Sequence, residues 1–151
     1  YPKSHHNVLN TFEALLKQNV VPIVNENDTV AVDELDHETK FGDNDQLSAI
    51  VATNIGADLL IMLSDIDGFY DGNPNADARA QLLGHIEQVD QHTYELAGGS
   101  GSRFGTGGMV TKLKAAERMI DANGQMILAN GADPAIIFQI LAGEPVGTLF
   151  G

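Results

Sequence analysis

The stretch from Gly98 to Lys114, GGSGSRFGTGGMVTKLK, holds six glycines, and the last two run straight into apolar residues at helical spacing: Met109, Leu113, Ala116 and Ile120. Backbone N–H groups at a helix start lack intrahelical acceptors and lie at the positive end of the helix dipole. A glycine-rich loop that opens a helix therefore suits phosphate. Lys112 stands one turn inside, where a long side chain can bend back toward whatever the loop holds. Of the eight Lys and Arg in the chain, four (Arg103, Lys112, Lys114, Arg118) fall in this loop and helix, and only Glu117 opposes them locally. Glycine content alone fits a surface loop ahead of an ordinary amphipathic helix just as well; the fixed positive charge favours an anion site.

Three further polar clusters stand where elements begin or end. Asn25, Glu26, Asn27 and Asp28 follow the apolar run Val20–Val24, and Ser64, Asp65, Ile66, Asp67 and Gly68 follow Leu59–Leu63. In open α/β sheets ligands bind at the C-terminal ends of strands, although the first cluster reads equally as an Asx-rich turn. Asp43, Asn44 and Asp45 sit at a helix start, where one such residue serves as a cap and two have side chains to spare; a capping cluster and a polar site are both open. The acids at 65, 67 and 71 do not make a calcium loop, because Gly68 is misplaced and position 76 is alanine instead of glutamate.

The elements that must position these groups alternate. Val8, Leu9, Phe12, Leu15 and Leu16 predict a helix over 7–18, with Ser4 a candidate cap and Asn19 its end. Val20–Val24 reads as a short buried strand despite Pro22. Leu47, Ile50, Val51 and Ile55 share one helical face that Gly56 stops, and Leu59–Leu63 is the clearest strand. A short strand over 82–86 follows, then a short helix capped by Asp90 and ending at Gly98. The helix after the glycine loop closes at Asn123 and Gly124, Gln125–Ala129 is a buried strand, and Asp133–Pro134 starts a helix ending near Gly143. Gly147–Phe150 is the last strand. The fold class is α/β, with a largely parallel sheet flanked by helices and polar segments converging at one sheet edge.

At 151 residues the chain is most simply one domain, large enough to bury roughly 70% of its unfolded surface. Its 21 Asp and Glu against 8 Lys and Arg leave a formal charge of −13, which argues against nucleic acid as a partner. Small anions are not excluded, since screening over about 8 Å lets a local site differ from the whole. Without cysteine there are neither disulfides nor thiolate metal sites. The longest apolar run is far short of the roughly 20 residues of a membrane helix, and no secretory signal is visible, so we expect no membrane and a cytoplasmic location. The five histidines are scattered and read as surface residues. The chain begins at Tyr1 next to a helical pattern, so we expect its natural start to lie upstream.

In order and spacing the chain resembles the glutamate 5-kinases of the amino-acid kinase superfamily. The matching motifs are Val24-Asn25-Glu26-Asn27-Asp28, then Gly42-Asp43-Asn44-Asp45 with Leu47-Ser48-Ala49, then Ser64-Asp65 with Gly68, and finally Gly105-Thr106-Gly107-Gly108-Met109-Val110-Thr111-Lys112. The last is the most specific; the Ser64-Asp65 pair is weak alone. The resemblance implies transfer of the γ-phosphoryl group of ATP, with Mg2+, to the side-chain carboxylate of L-glutamate, at the start of proline biosynthesis, by an enzyme that works as a homo-oligomer. It implies nucleotide binding at Ser64, Asp65, Thr106, Gly107, Gly108, Met109, Val110, Thr111 and Lys112, and glutamate binding at Asn25, Asp28 and Asn44 with Asp43 nearby. Lys112 is then catalytic, and Asp45 orients the catalytic lysines. Ser64 stands where threonine is common, which keeps the hydroxyl.

The family's kinase domain opens with a phosphate loop, a lysine and a serine-glycine-alanine substrate loop that this chain does not carry. The resemblance thus implies the nucleotide-binding portion and part of the substrate-binding portion of such a domain, inactive by itself. The chemistry fits the residues independently. A carboxylate with a pKa of about 4.3 is ionised at pH 7 and needs no general base; it needs alignment and relief of repulsion between two anions. Asp28 would pair with the substrate ammonium, Asn44 would bond its backbone end, and Lys112 with the Gly107 and Gly108 amides would draw charge from the phosphoryl group. Three readings compete: the same fold with another acceptor (acetylglutamate, aspartate, carbamate or UMP), a nucleotide-binding or regulatory module without turnover, and an acidic structural domain with no ligand.

Overall fold

The computed structural model describes residues 2–25, 44–98 and 108–151. Helix α1 spans Pro2–Lys17, longer at its start than the apolar periodicity predicts. Asn19 takes a left-handed φ of 56°, which lets Val20 N–H bond Leu15 O and Asn19 N–H bond Leu16 O, both at 3.0 Å. Helix α2 (Asn44–Asn54) leads to strand β1 (Leu59–Ser64), and a long connection reaches strand β2 (His85–Ile86). Helix α3 (Gln91–Gly98), helix α4 (Gly108–Asp121), strand β3 (Gln125–Asn130), helix α5 (Ile136–Leu141) and strand β4 (Thr148–Phe150) complete the described elements. Helices α2 and α4 stop as α1 does, with Gly56 at φ 68° and Asn123 at φ 60° in the left-handed region. Their closing bonds run from Ala57 N–H to Ala52 O and from Gly124 N–H to Met119 O.

The sheet order is β1-β3-β4-β2. β1 pairs with β3 in parallel from Leu59↔Gln125 to Ser64↔Asn130, and β2 pairs with β4 in parallel. β4 runs antiparallel to β3, with Ile127 opposite Leu149, so the sheet is mixed while two of its three pairings are parallel. The core joins Ala49 and Ala52 of α2, Leu113, Ala115, Ala116 and Met119 of α4, and Met62, Met126, Leu128 and Phe150 of the sheet. Alanines on α2 and α4 leave room for the two helices to pack directly on each other, which fixes where their N-termini stand. The Thr148 hydroxyl is buried, accepts from Phe69 N–H at 2.8 Å and donates to Leu83 O at 2.6 Å, so it ties the start of the β1–β2 connection to β4.

Three predicted elements differ. Val20–Val24 is not a strand: the segment is irregular, and Val21 and Ile23 are 82% and 90% exposed. Pro22 removes a ladder donor there, and none of the four described strands pairs with it. The strand expected over 82–86 shrinks to His85–Ile86, with Leu82 bridging back to Tyr70 instead. Asp133 does start a turn, accepting from Ala135 N–H at 2.9 Å, but regular helix begins only at Ile136.

Candidate active site

At the C-terminal end of β1, Ser64 Oγ donates to Asp65 Oδ1 at 3.1 Å, while Gly131 N–H continues the β1–β3 ladder by bonding Ser64 O at 2.8 Å. The first turn of α4 points at the same edge. Between them lies a cavity of about 550 Å³ lined by Ser64, Asp65, the 66–75 segment, the end of α3, and Gly108, Met109 and Lys112. Phe69, Tyr70, Pro74, Leu96 and Met109 give it an apolar wall, whereas Ser64, Asp65 and Lys112 are polar. An apolar slot with a few polar groups at a strand end and a helix start fits a planar base joined to phosphates.

Lys112 Nζ donates to Asp45 Oδ2 at 2.9 Å, and the Thr111 hydroxyl donates to the same oxygen at 2.9 Å. Gln46 Nε2 adds a bond to Thr111 O at 2.7 Å. The first turn of α2 thereby grips the first turn of α4. Of the residues predicted for glutamate, Asn25 and Asn44 line one groove of about 760 Å³ bounded by α1, α2 and β1. Asp28 and Asp43 lie outside the described residues, as do Thr106, Gly107 and Arg103. Val110 is half-buried in the first turn of α4. The basic island divides: Lys112 faces the cavity, whereas Lys114 and Arg118 share a separate depression with Glu117, Asp121 and Tyr94. Sequence reasoning missed the apolar wall from the 66–75 segment and α3, and it missed Gln46. Neither carries a local signal, since each acts through residues distant in sequence.

The predicted cap on α3 is present. Asp90 Oδ1 accepts from Thr93 N–H and from the Thr93 hydroxyl, each at 2.9 Å, and these two bonds, backbone first, hold its carboxyl below the ordinary range. Across the α3–α4 contact, the Tyr94 hydroxyl donates to Glu117 Oε2 at 2.8 Å. Burial, then that bond and the Glu117 charge, push the phenol well above its usual range.

The model for the amino acid kinase family matches residues 2–130. The chain belongs to the amino acid kinase family. This kinase-family chain is 98% identical over 151 residues to the glutamate 5-kinase of Lactiplantibacillus plantarum, covering all of itself and 57% of that protein. It is 63% identical over 150 residues to the glutamate 5-kinase of Enterococcus faecalis, covering 99% of itself and 55% of the relative. It thus spans a little over half the length of the curated relatives it matches. Among solved structures, the uridylate kinase from Archaeoglobus fulgidus aligns with a TM-score of 0.53 at 25% identity, over 71% of this chain and 46% of that one. An isopentenyl phosphate kinase from T. acidophilum aligns with the same TM-score at 23% identity, over 71% and 38%, a likeness of fold alone.

Proposed function

We propose that this chain is the nucleotide-binding and partial substrate-binding portion of a kinase that transfers the γ-phosphoryl group of ATP to the side-chain carboxylate of L-glutamate. The product is glutamyl 5-phosphate, at the first step of proline biosynthesis. One observation carries the reading: Ser64 and Asp65 from β1 and Gly108, Met109 and Lys112 from α4 meet around a single cavity. Near-identity to a protein named glutamate 5-kinase supplies the acceptor.

In this mechanism the α4 N-terminus and Lys112 bind the nucleotide's phosphates, and the apolar wall takes the base. The Gly107 and Gly108 amides and the Lys112 ammonium stabilise charge as it shifts to the leaving oxygen. Asn25, Asp28, Asp43 and Asn44 hold the acceptor so that its ionised carboxylate attacks in line, and positioning replaces base catalysis. A bound Mg2+ would supply positive charge that offsets the repulsion between the nucleotide and the ionised acceptor, and it would be held with few protein ligands. Asp45 acts through Lys112 by fixing the lysine's direction. We further propose a cytoplasmic homo-oligomer that binds neither nucleic acid nor membrane; the strongly acidic charge supports the former.

Calorimetric titration with Mg-ADP, beside a folded Lys112→Ala variant, tests the nucleotide assignment. Binding that weakens in the variant is expected; equal binding removes Lys112 from the site. A panel of acceptors offered to the full-length protein, with trapping of the acyl phosphate, tests the substrate. Turnover on acetylglutamate, aspartate, carbamate or UMP in place of glutamate would overturn it.

A further inference from the structure

Nine of the residues around the nucleotide cavity come from one irregular segment between 66 and 75, so the cavity's width depends on how that segment is moored. Its far side is held where Asp71 Oδ1 accepts from Gln81 N–H at 2.7 Å and where Tyr70 bridges Leu82. Its near side is held by a contact 63 residues apart in sequence: Asn130 Nδ2, at the end of β3, donates to Asp67 Oδ1 at 3.0 Å. The other half of the Asn130 amide is also occupied, since Oδ1 accepts from Ala132 N–H at 2.9 Å and so sets the turn after β3. The second Asp67 oxygen faces the Tyr70 hydroxyl at 3.4 Å. Asp67 is exposed and does not line the cavity, so nothing about its own burial requires this pairing. What the pairing does is join the segment that bears Phe69 and Tyr70 to the strand beside β1.

We infer that Asp67 and Asn130 are positioning residues for the nucleotide, a pair that fixes the cavity wall against the sheet edge and thereby sets nucleotide affinity without touching the acceptor. The inference rests on the reading of this cavity as the nucleotide site. The pair's chemistry permits a reciprocal exchange. In Asn130→Asp two carboxylates face each other and the wall loses its tie to the end of β3, while the Phe69 N–H bond to the Thr148 hydroxyl and the ties to Gln81 and Leu82 remain. Adding Asp67→Asn restores an amide facing a carboxylate, keeps an acceptor for Ala132 N–H, and keeps an acceptor for the Tyr70 hydroxyl.

The test measures Mg-ADP affinity, the KM values for Mg-ATP and glutamate, and thermal unfolding in the full-length protein. Asn130→Asp is expected to weaken Mg-ADP binding and raise the Mg-ATP KM about fivefold, the factor that one ordinary hydrogen bond is worth, with the glutamate KM unchanged. Asp67→Asn, which keeps a neutral bond, is expected to do less, and the exchanged pair to return to within about twofold of the original. Unchanged nucleotide affinity in Asn130→Asp overturns the inference while leaving the site reading intact. So does an equal rise in both KM values, failure of the exchange to restore binding, or loss of folding in all three variants. Absence of Mg-ADP binding in the unaltered protein overturns the site reading, and the inference with it.

Discussion

Lys112 Nζ and Asp45 Oδ2 stand 2.9 Å apart between the first turns of α4 and α2, with their side chains only 15% and 18% exposed. The two residues are 67 positions apart in sequence, and they bring the helix start proposed to hold phosphate against the polar cluster proposed to hold the acceptor. A flexible lysine thereby acquires one direction. Preorganised charge stabilises a transition state without reorganising when the charge develops, which is how such a pair would serve phosphoryl transfer.

Removing the lysine should therefore cost transition-state stabilisation more than folding. In the full-length protein Lys112→Ala is expected to lose about 3 kcal/mol or more, comparable to deleting one oxyanion donor, hence a fall of about a hundredfold or more in kcat. Steady-state kinetics with saturating ATP and glutamate reads this directly. An unchanged turnover rate would refute a catalytic role for Lys112.

Among the described residues Asp45 Oδ2 accepts from Thr111 and Lys112, so substitution of Asp45 should not be additive with theirs. Asp45→Ala is expected to lower stability by roughly 1–2 kcal/mol, between the values typical of exposed and of buried pairs. Thr111→Val should cost about 1 kcal/mol, and the double variant clearly less than the sum, because one oxygen serves both bonds. Denaturant midpoints of the three variants close the cycle; strict additivity would mean that the Thr111 bond contributes nothing through Asp45.

The sequence made the local features legible. The apolar run at β1, the glycine stop at Gly56, the Asp90 cap and the start of α4 at Gly108 each follow from residues within one or two turns of the feature. The sheet edge was harder to read. Val20–Val24 has the composition of a strand, yet pairing is decided by a neighbour strand, which composition cannot report. The antiparallel placement of β4 depends on how α5 and its turn return the chain, and the final strand is only three residues long. At the site, Ser64, Asp65 and the start of α4 were recognisable as motifs, and Gly108, Met109 and Lys112 meet Ser64 and Asp65 around one cavity, whereas Val110 and Thr111 do not line it. Asp67 reads only as part of the polar cluster after β1, and Asn130 carries no local signal; the parallel register of β1 and β3 brings them together.

The Asp90 cap makes a pH prediction with a definite sign. Its carboxyl is held below its ordinary value of 3.8, so near that pH the unfolded chain binds more protons than the folded one. The cap's contribution is fully present above the ordinary carboxylate range and is lost as pH falls through the lowered folded value. Urea unfolding of the chain and of Asp90→Asn should differ most at neutral pH and converge in strong acid. A difference that stays constant from pH 7 to pH 2 would show that the bonds to Thr93 do not depend on the charge.

Tyr94 predicts the opposite dependence. Burial, the bond to Glu117 Oε2 and the Glu117 charge raise its phenol above its ordinary value of 10.0, so in alkali the folded chain holds the proton longer than the unfolded chain does. The α3–α4 tie is thus fully effective below about pH 10 and weakens as pH rises toward the folded value. Tyr94→Phe keeps the ring against α4 and removes the proton, so at pH 7 it should cost only about 0.5 kcal/mol, the low end for one hydrogen bond at a partly exposed site. Above pH 10 the original chain should lose stability more steeply than the variant, and the two unfolding curves should approach each other. Parallel alkaline losses in urea titrations at pH 7, 9 and 10.5 would mean that the phenol ionises as freely in the folded chain as in the unfolded one, and that the Glu117 contact does not hold α3 against α4.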